Sequence, residues 1–121
     1  MSFRFSIIIF RISLAAALIG IMILATSPLQ YPVISDLNDK FRHVLAFFVL
    51  AVLTDASFPE TEFNFAMAFA LLAYGLSIEI IQYFLPYRMF SLWDMAADGC
   101  GIGLYKMISP FMRILITNHR V

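Results

Sequence analysis

The sequence predicts an all-α polytopic membrane protein, a compact bundle of four transmembrane helices joined by short loops. Three observations carry that expectation. Apolar side chains make up 62% of the chain and charged ones only 13%, about half the charged share usual in soluble domains. Two segments, Ser6–Ala25 and Phe63–Leu85, stay apolar over the roughly 20 residues that a helix needs to cross about 30 Å of hydrocarbon. The stretches between the apolar segments are too short to hold a soluble domain. At 121 residues with a net charge of zero, the chain reads as a single membrane domain over 1–121. This composition excludes a disordered tail, a nucleic-acid binder working through positive charge, and an ordinary cytosolic enzyme. The lone cysteine, Cys100, excludes an intrachain disulfide and a Cys-rich metal site.

The spans are expected at about 6–26, 42–58, 63–85 and 92–109. The first is interrupted only by Arg11 and closes at Ser27-Pro28, where proline removes a backbone donor. An Arg-bearing start before an apolar stretch also suits a signal peptide, but Arg11 splits the stretch and its length is that of a full span. The second segment is weaker, because the charge-free run Val44–Thr54 covers only about 16 Å. It reaches across only with Arg42 and His43 at one interface and Asp55 near the other. The third is long and carries one acid, Glu79. The fourth carries Asp94, Asp98 and Lys106, and Pro110 is expected to kink or end it. The second and fourth are inferred to span because irregular backbone between secure spans cannot satisfy its hydrogen bonds in lipid.

Basic residues set the orientation. Arg4, Arg11, Lys106, Arg113 and Arg120 fall on the side of the termini, against Lys40, Arg42 and Arg88 on the other. Both termini are therefore expected in the cytoplasm of a multi-pass protein of the bacterial cell membrane. Asp55, Glu60 and Glu62 read as solvated helix-end charges on that side, and Tyr31, Tyr83, Tyr87 and Trp93 as an aromatic belt at the outer boundary.

The functional expectation comes from depth. Glu79 lies about 9 Å below the outer end of its helix, with Gln82 one turn on and on the same face. Asp94 and Asp98 occupy the first two turns of the last helix, four apart and so also on one face. His43 opens the second helix just after Asp39, Lys40 and Arg42, and Arg88 lies in the adjoining loop. Lipid penalises a mid-membrane charge by about 2.5–3.5 kcal/mol, so these groups are expected to meet one another. The predicted result is an outward-facing polar crevice lined by His43, Glu79, Gln82, Asp94 and Asp98 and rimmed by Lys40 and Arg88. Bland alternatives stand beside it: Ser91 and Asp94 as a capping box, Asp39 as a dipole acid, Asp98 in a structural salt bridge, and Arg88 and Lys40 as headgroup anchors. Gly99 and Gly103, four apart, form a small-residue stripe suited to close helix packing or to a homo-oligomer.

The pattern Asp39-Lys40-Phe41-Arg42-His43, then Glu79-x-x-Gln82, Pro86-x-Arg88 and Asp94-x-x-x-Asp98-x-x-Gly101, resembles the VanZ-like family of small bacterial membrane proteins, over about Asp39 to Leu104. The resemblance carries family positions onto Lys40, His43, Glu79, Gln82, Arg88 and Asp94. Asp98 stands where the family commonly has asparagine, and Gly101 matches. The resemblance implies a multi-spanning cell-envelope protein in a family named for a member associated with teicoplanin resistance. It implies a site and a compartment rather than a settled reaction.

The leading expectation is a site that binds or modifies the headgroup of a membrane lipid or lipid-linked substrate, with no nucleic-acid partner. Lys40 and Arg88, with Gln82 and Asp98, would bind the substrate. His43 would accept a proton, with Glu79 or Asp94 fixing its tautomer or shuttling the proton. No covalent nucleophile is evident. No cofactor is expected, and a divalent ion held by Asp94, Asp98 and Glu79 is set aside because the first two share a helix. The rivals are a small transporter, flippase component or proton-coupled carrier working through Glu79 and Asp98, and a non-catalytic scaffold.

Overall fold

Ser109, Pro110 and the run after them show how this chain solves a local problem. Pro110 has no N–H to give the carbonyl four residues back, that of Lys106. The Ser109 hydroxyl donates to that same carbonyl at 2.9 Å. The helix therefore continues through Pro110 to Arg120, where the sequence suggested an end near residue 109.

The computed structural model describes the backbone of residues 3–26, 36–86 and 92–120, and the side chains of 6–26, 40–86 and 92–115. Arg88 and Ser91, Tyr31 and Tyr87, and the side chain of Asp39 lie outside the described residues. The described residues form four helices and no strand: α1 (Phe3–Thr26), α2 (Asp36–Ser57), α3 (Phe65–Tyr83) and α4 (Leu92–Arg120). Two of them, α1 and α3, are long and apolar enough to cross a membrane. In contrast α2 and α4 carry the charged groups that lower their hydropathy. Helix α2 starts six residues earlier than expected, so its 22 residues reach about 33 Å despite the short charge-free run.

Helix α3 begins where Asn64 caps it, its side chain accepting from Met67 N–H at 3.0 Å. It ends two residues before the expected Leu85, in a tightened turn with Phe84 N–H on Ile81 O and Leu85 N–H on Gln82 O, both 3.1 Å.

Helices α1 and α3 run one way, α2 and α4 the other. Arg11 Nε donates to Ser57 O at 3.0 Å at one end, and Gln82 Nε2 donates to Ala25 O at 2.8 Å at the other. Midway, the Tyr74 hydroxyl donates to Leu18 O. Sequence neighbours are antiparallel as expected, but the most extensive pairing is between the parallel helices α2 and α4.

Gly101 makes that seam. A Cβ on Gly101 would collide with the Val44 carbonyl and sit 2.9 Å from Phe48 N, so only hydrogen lets the two backbones approach. The expected Gly99/Gly103 stripe does not pack the chain on itself: Gly99 has only a Leu72 methyl at 3.9 Å and Gly103 has nothing within 4 Å. Gly101 is two residues from both, on another face of the helix. Around the seam lies a core of Phe47, Leu50, Ala51, Phe63, Leu71, Ile102 and Tyr105. Tyr105 is wholly buried and meets Phe63 and Phe48 edge-on, at 5.3 and 5.8 Å between centroids.

Candidate functional site

At the end where α2 and α4 begin and α3 finishes, three helices bring together side chains that apolar surroundings penalise. Lys40 and His43 lie one turn apart on α2, Glu79 and Gln82 one turn apart on α3, and Asp94 and Asp98 one turn apart on α4. The i, i+3 and i, i+4 spacings point each pair the same way, and the Gly101 seam holds α4 close enough to α2 for the pairs to touch.

Lys40 Nζ forms an ion pair with Asp94 Oδ1. His43 Nδ1 lies 2.7 Å from Asp98 Oδ1, and His43 Nε2 lies 3.6 Å from Asp94 Oδ2. The carboxylate that orients the imidazole is thus Asp98, where the sequence pointed to Glu79 or Asp94. With Asp98 ionised its carboxylate accepts from Nδ1, and Nε2 is the nitrogen that faces Asp94. One donor atom from each of His43, Glu79 and Asp94 lies within 4.8 Å of the others.

The acids are hidden and the bases are not. Glu79 is 0% exposed and the Asp98 side chain 1%, whereas the side chains of His43 and Lys40 are 18% and 29% exposed. Access to the cluster is therefore from the α2 side, over Lys40 and His43. Gln82, also buried, spends its amide N–H on Ala25 O, and its Oε1 has no hydrogen-bond partner among the described residues.

Gly75 is a member of this cluster that sequence reasoning missed. A Cβ there would lie 2.6 Å from Asp98 Oδ2 and 3.1 Å from the Phe47 ring. Its bare backbone gives the Asp98 carboxylate its seat, one turn before Glu79. The signal was available as Gly75 four residues before Glu79, yet nothing in the sequence says which side chain fills the gap.

A second polar group at the opposite end also departs from expectation. Asp55 is buried rather than a solvated helix-end charge. Arg113 Nη1 reaches its Oδ1 at 2.6 Å and the Tyr105 hydroxyl donates to its Oδ2 at 2.5 Å. Arg113 also donates to the carbonyls of Thr61 and Pro59, and Lys106 to that of Phe63 at 2.5 Å. Glu60 and Glu62 are exposed, as expected. Continuation of α4 past Pro110 is what brings Arg113 to Asp55. An apolar groove of about 460 Å³ between α1, α2 and α3, lined by Leu14, Leu18, Met67, Leu71 and Tyr74, offers little chemistry. Its two lining hydroxyls are both engaged, that of Thr54 with Leu50 O at 2.7 Å and that of Tyr74 with Leu18 O.

A family model described as VanZ/LLP1 matches residues 3–113. No curated protein and no solved structure shows significant similarity to the chain.

Proposed function

This chain belongs to the VanZ/LLP1 family, and we propose that it is a multi-pass protein of the bacterial cell membrane that binds or modifies the headgroup of an amphipathic cell-envelope lipid at the His43 cluster. The observation that carries the proposal is the meeting of Lys40, His43, Glu79, Asp94 and Asp98 from three helices at one end of an otherwise apolar bundle. Burying carboxylates in such surroundings is costly without a task or a partner.

Four spans are supported by large apolar side chains exposed on every helix, among them Ile12, Val49, Phe69 and Met107. A soluble protein rarely leaves such surface uncovered on all sides. Tyr83 and Trp93, both exposed near the cluster, suit an interfacial belt. The first and last helices have their free ends at the Asp55 end, with Arg11, Lys106 and Arg113, which supports cytoplasmic termini and an outward-facing cluster.

In this reading Lys40, the most exposed of the five, turns from Asp94 to an anionic headgroup oxygen, a role the sequence also gives to Arg88. His43 takes a proton at Nε2 while Asp98 holds the ring. Gln82 Oε1 accepts from a substrate hydroxyl. Acyl chains remain in the surrounding lipid. A carrier or flippase role is less favoured, because among the described residues Phe47, Leu50, Phe63 and Ile102 fill the interior beyond the cluster. Such a role would need a homo-oligomer through the Gly99/Gly103 face.

Lipid profiles of deletion, wild-type and His43→Ala cells test the reading. An envelope lipid is expected to change in the deletion strain and equally in His43→Ala at normal membrane abundance. Full wild-type behaviour of His43→Ala, Glu79→Gln and Arg88→Ala at equal expression would overturn it. Loss that tracks abundance or partner recovery would instead identify a scaffold.

A further inference from the structure

We infer that the cluster is a divalent metal site, with His43 Nε2, Glu79 and Asp94 Oδ2 as the protein ligands and an ion of the Zn²⁺ or Mn²⁺ class as the occupant. As to purpose this rests on the headgroup reading above; as to its donors it rests on geometry, so the two can fail separately.

The three donors come from three helices and lie within 4.8 Å of one another. Two donors 3.6 Å apart, as Nε2 and Asp94 Oδ2 are, each ~2.1 Å from an ion, subtend about 120° at it. That is an ordinary angle between neighbouring ligands.

The surroundings are those of a ligand set. Metal-bound imidazoles almost always give their second nitrogen to a carboxylate or carbonyl, which fixes the tautomer and raises the basicity of the ligating nitrogen. Asp98 does this to His43 at 2.7 Å. Ligating carboxylates are held in turn, and Lys40 holds Asp94 by Oδ1, the oxygen that does not face the imidazole. Gly75 keeps the Asp98 seat open.

Donor type and hydrogen bonding point the same way. Two of the three donors, Glu79 and Asp94, are carboxylates, the donor type that hard divalent ions prefer. Independently, the buried Gln82 Oε1, one turn beyond Glu79, has no donor among the described residues, and an ion-held water supplies one. One imidazole nitrogen with two carboxylates suits Zn²⁺ or Mn²⁺ better than Ca²⁺, which prefers more oxygen ligands. In the loaded protein the Nε2 lone pair belongs to the ion, which then faces the anionic headgroup oxygen in place of an imidazolium.

The test uses the full chain, purified in detergent, stripped with chelator and titrated with Zn²⁺ or Mn²⁺ alone, with no lipid added. Wild type is expected to retain one equivalent through gel filtration. His43→Ala, Glu79→Gln and Asp94→Asn should each bind at least tenfold more weakly, Asp98→Asn should weaken binding to a smaller degree, and Glu62→Gln should match wild type. Electron spin-echo spectra of the Mn²⁺-loaded wild type should detect one imidazole nitrogen, a readout that does not depend on any variant folding. Retention below a tenth of an equivalent of both ions, or absence of the nitrogen signal, overturns the metal site while leaving the lipid-profile test of the headgroup reading intact.

Discussion

The two ends of the bundle use similar residues to opposite effect. At the α2–α3 turn, Asp55 is surrounded by an arginine and a tyrosine, and the remaining donors of Arg113 fall on backbone carbonyls of the turn. Lys106 and Arg11 likewise bind the carbonyls of Phe63 and Ser57, and Arg11 lies over the Phe58 ring at 5.1 Å. Cations there fasten α1 and α4 to the turn. At the other end, among the described residues, Glu79, Asp94 and Asp98 meet Lys40 and His43, and the basic members lie toward the surface. One end is a closed clamp of buried acid on arginine, and the other gathers acids from two helices beside a partly exposed lysine and histidine. The arginine clamp and the His43 cluster thus lie at opposite ends of the bundle axis.

The largest break in that contrast is expected from Arg113→Ala. Stranding the buried Asp55 carboxylate should cost about 3–5 kcal/mol, read as loss of thermal stability in detergent and of membrane abundance together. Arg113 is itself partly exposed, at 23% for its side chain, so a value below about 1 kcal/mol would show that solvent screening makes the clamp ornamental.

Next comes the α2–α4 seam. Gly101→Leu should destabilise by about 1–3 kcal/mol or more through overpacking, whereas Gly103→Leu, with open space beside it, should change thermal stability by less than about 0.5 kcal/mol. The reverse order would restore the stripe as the packing face. Tyr105→Phe removes one donor from a buried carboxylate and should cost about 1–3 kcal/mol with the lipid profile unchanged at equal abundance.

The smallest stability effect and the largest functional one are expected at Glu79→Gln. Glutamine keeps the shape of this buried side chain, so the lipid phenotype should be lost at nearly normal membrane abundance. A sharp fall in melting temperature with the phenotype retained would make the cluster a second clamp. Gly75→Ala sharpens the same point, since it displaces Asp98 without touching any charge. Its phenotype should follow that of Asp98→Asn at nearly normal abundance.

Much of this was legible in the chain. Four helices in order followed from apolar runs and punctuation, and the gathering of His43, Glu79, Asp94 and Asp98 at one level followed from counting residues along antiparallel helices. Partner choice was not legible. Depth pointed to Glu79 or Asp94 beside the imidazole, where the structure places Asp98. Asp55 and Pro110 are linked: a proline expected to kink or end α4 gives no reason to bring Arg113 to Asp55, whereas the continued helix does so.

By itself the sequence determined how far along the bundle each polar group lies, because rise per residue is fixed and apolar runs must be covered by lipid or by one another. Only the tertiary structure decided rotation about each helix axis: which face meets which neighbour, and so that Gly101 rather than Gly99 lets α4 approach, that Gly75 seats Asp98, and that Asp98 holds His43. Axial position depends on local geometry summed along the chain, whereas rotation depends on how side-chain shapes from distant segments fit, which no single segment encodes.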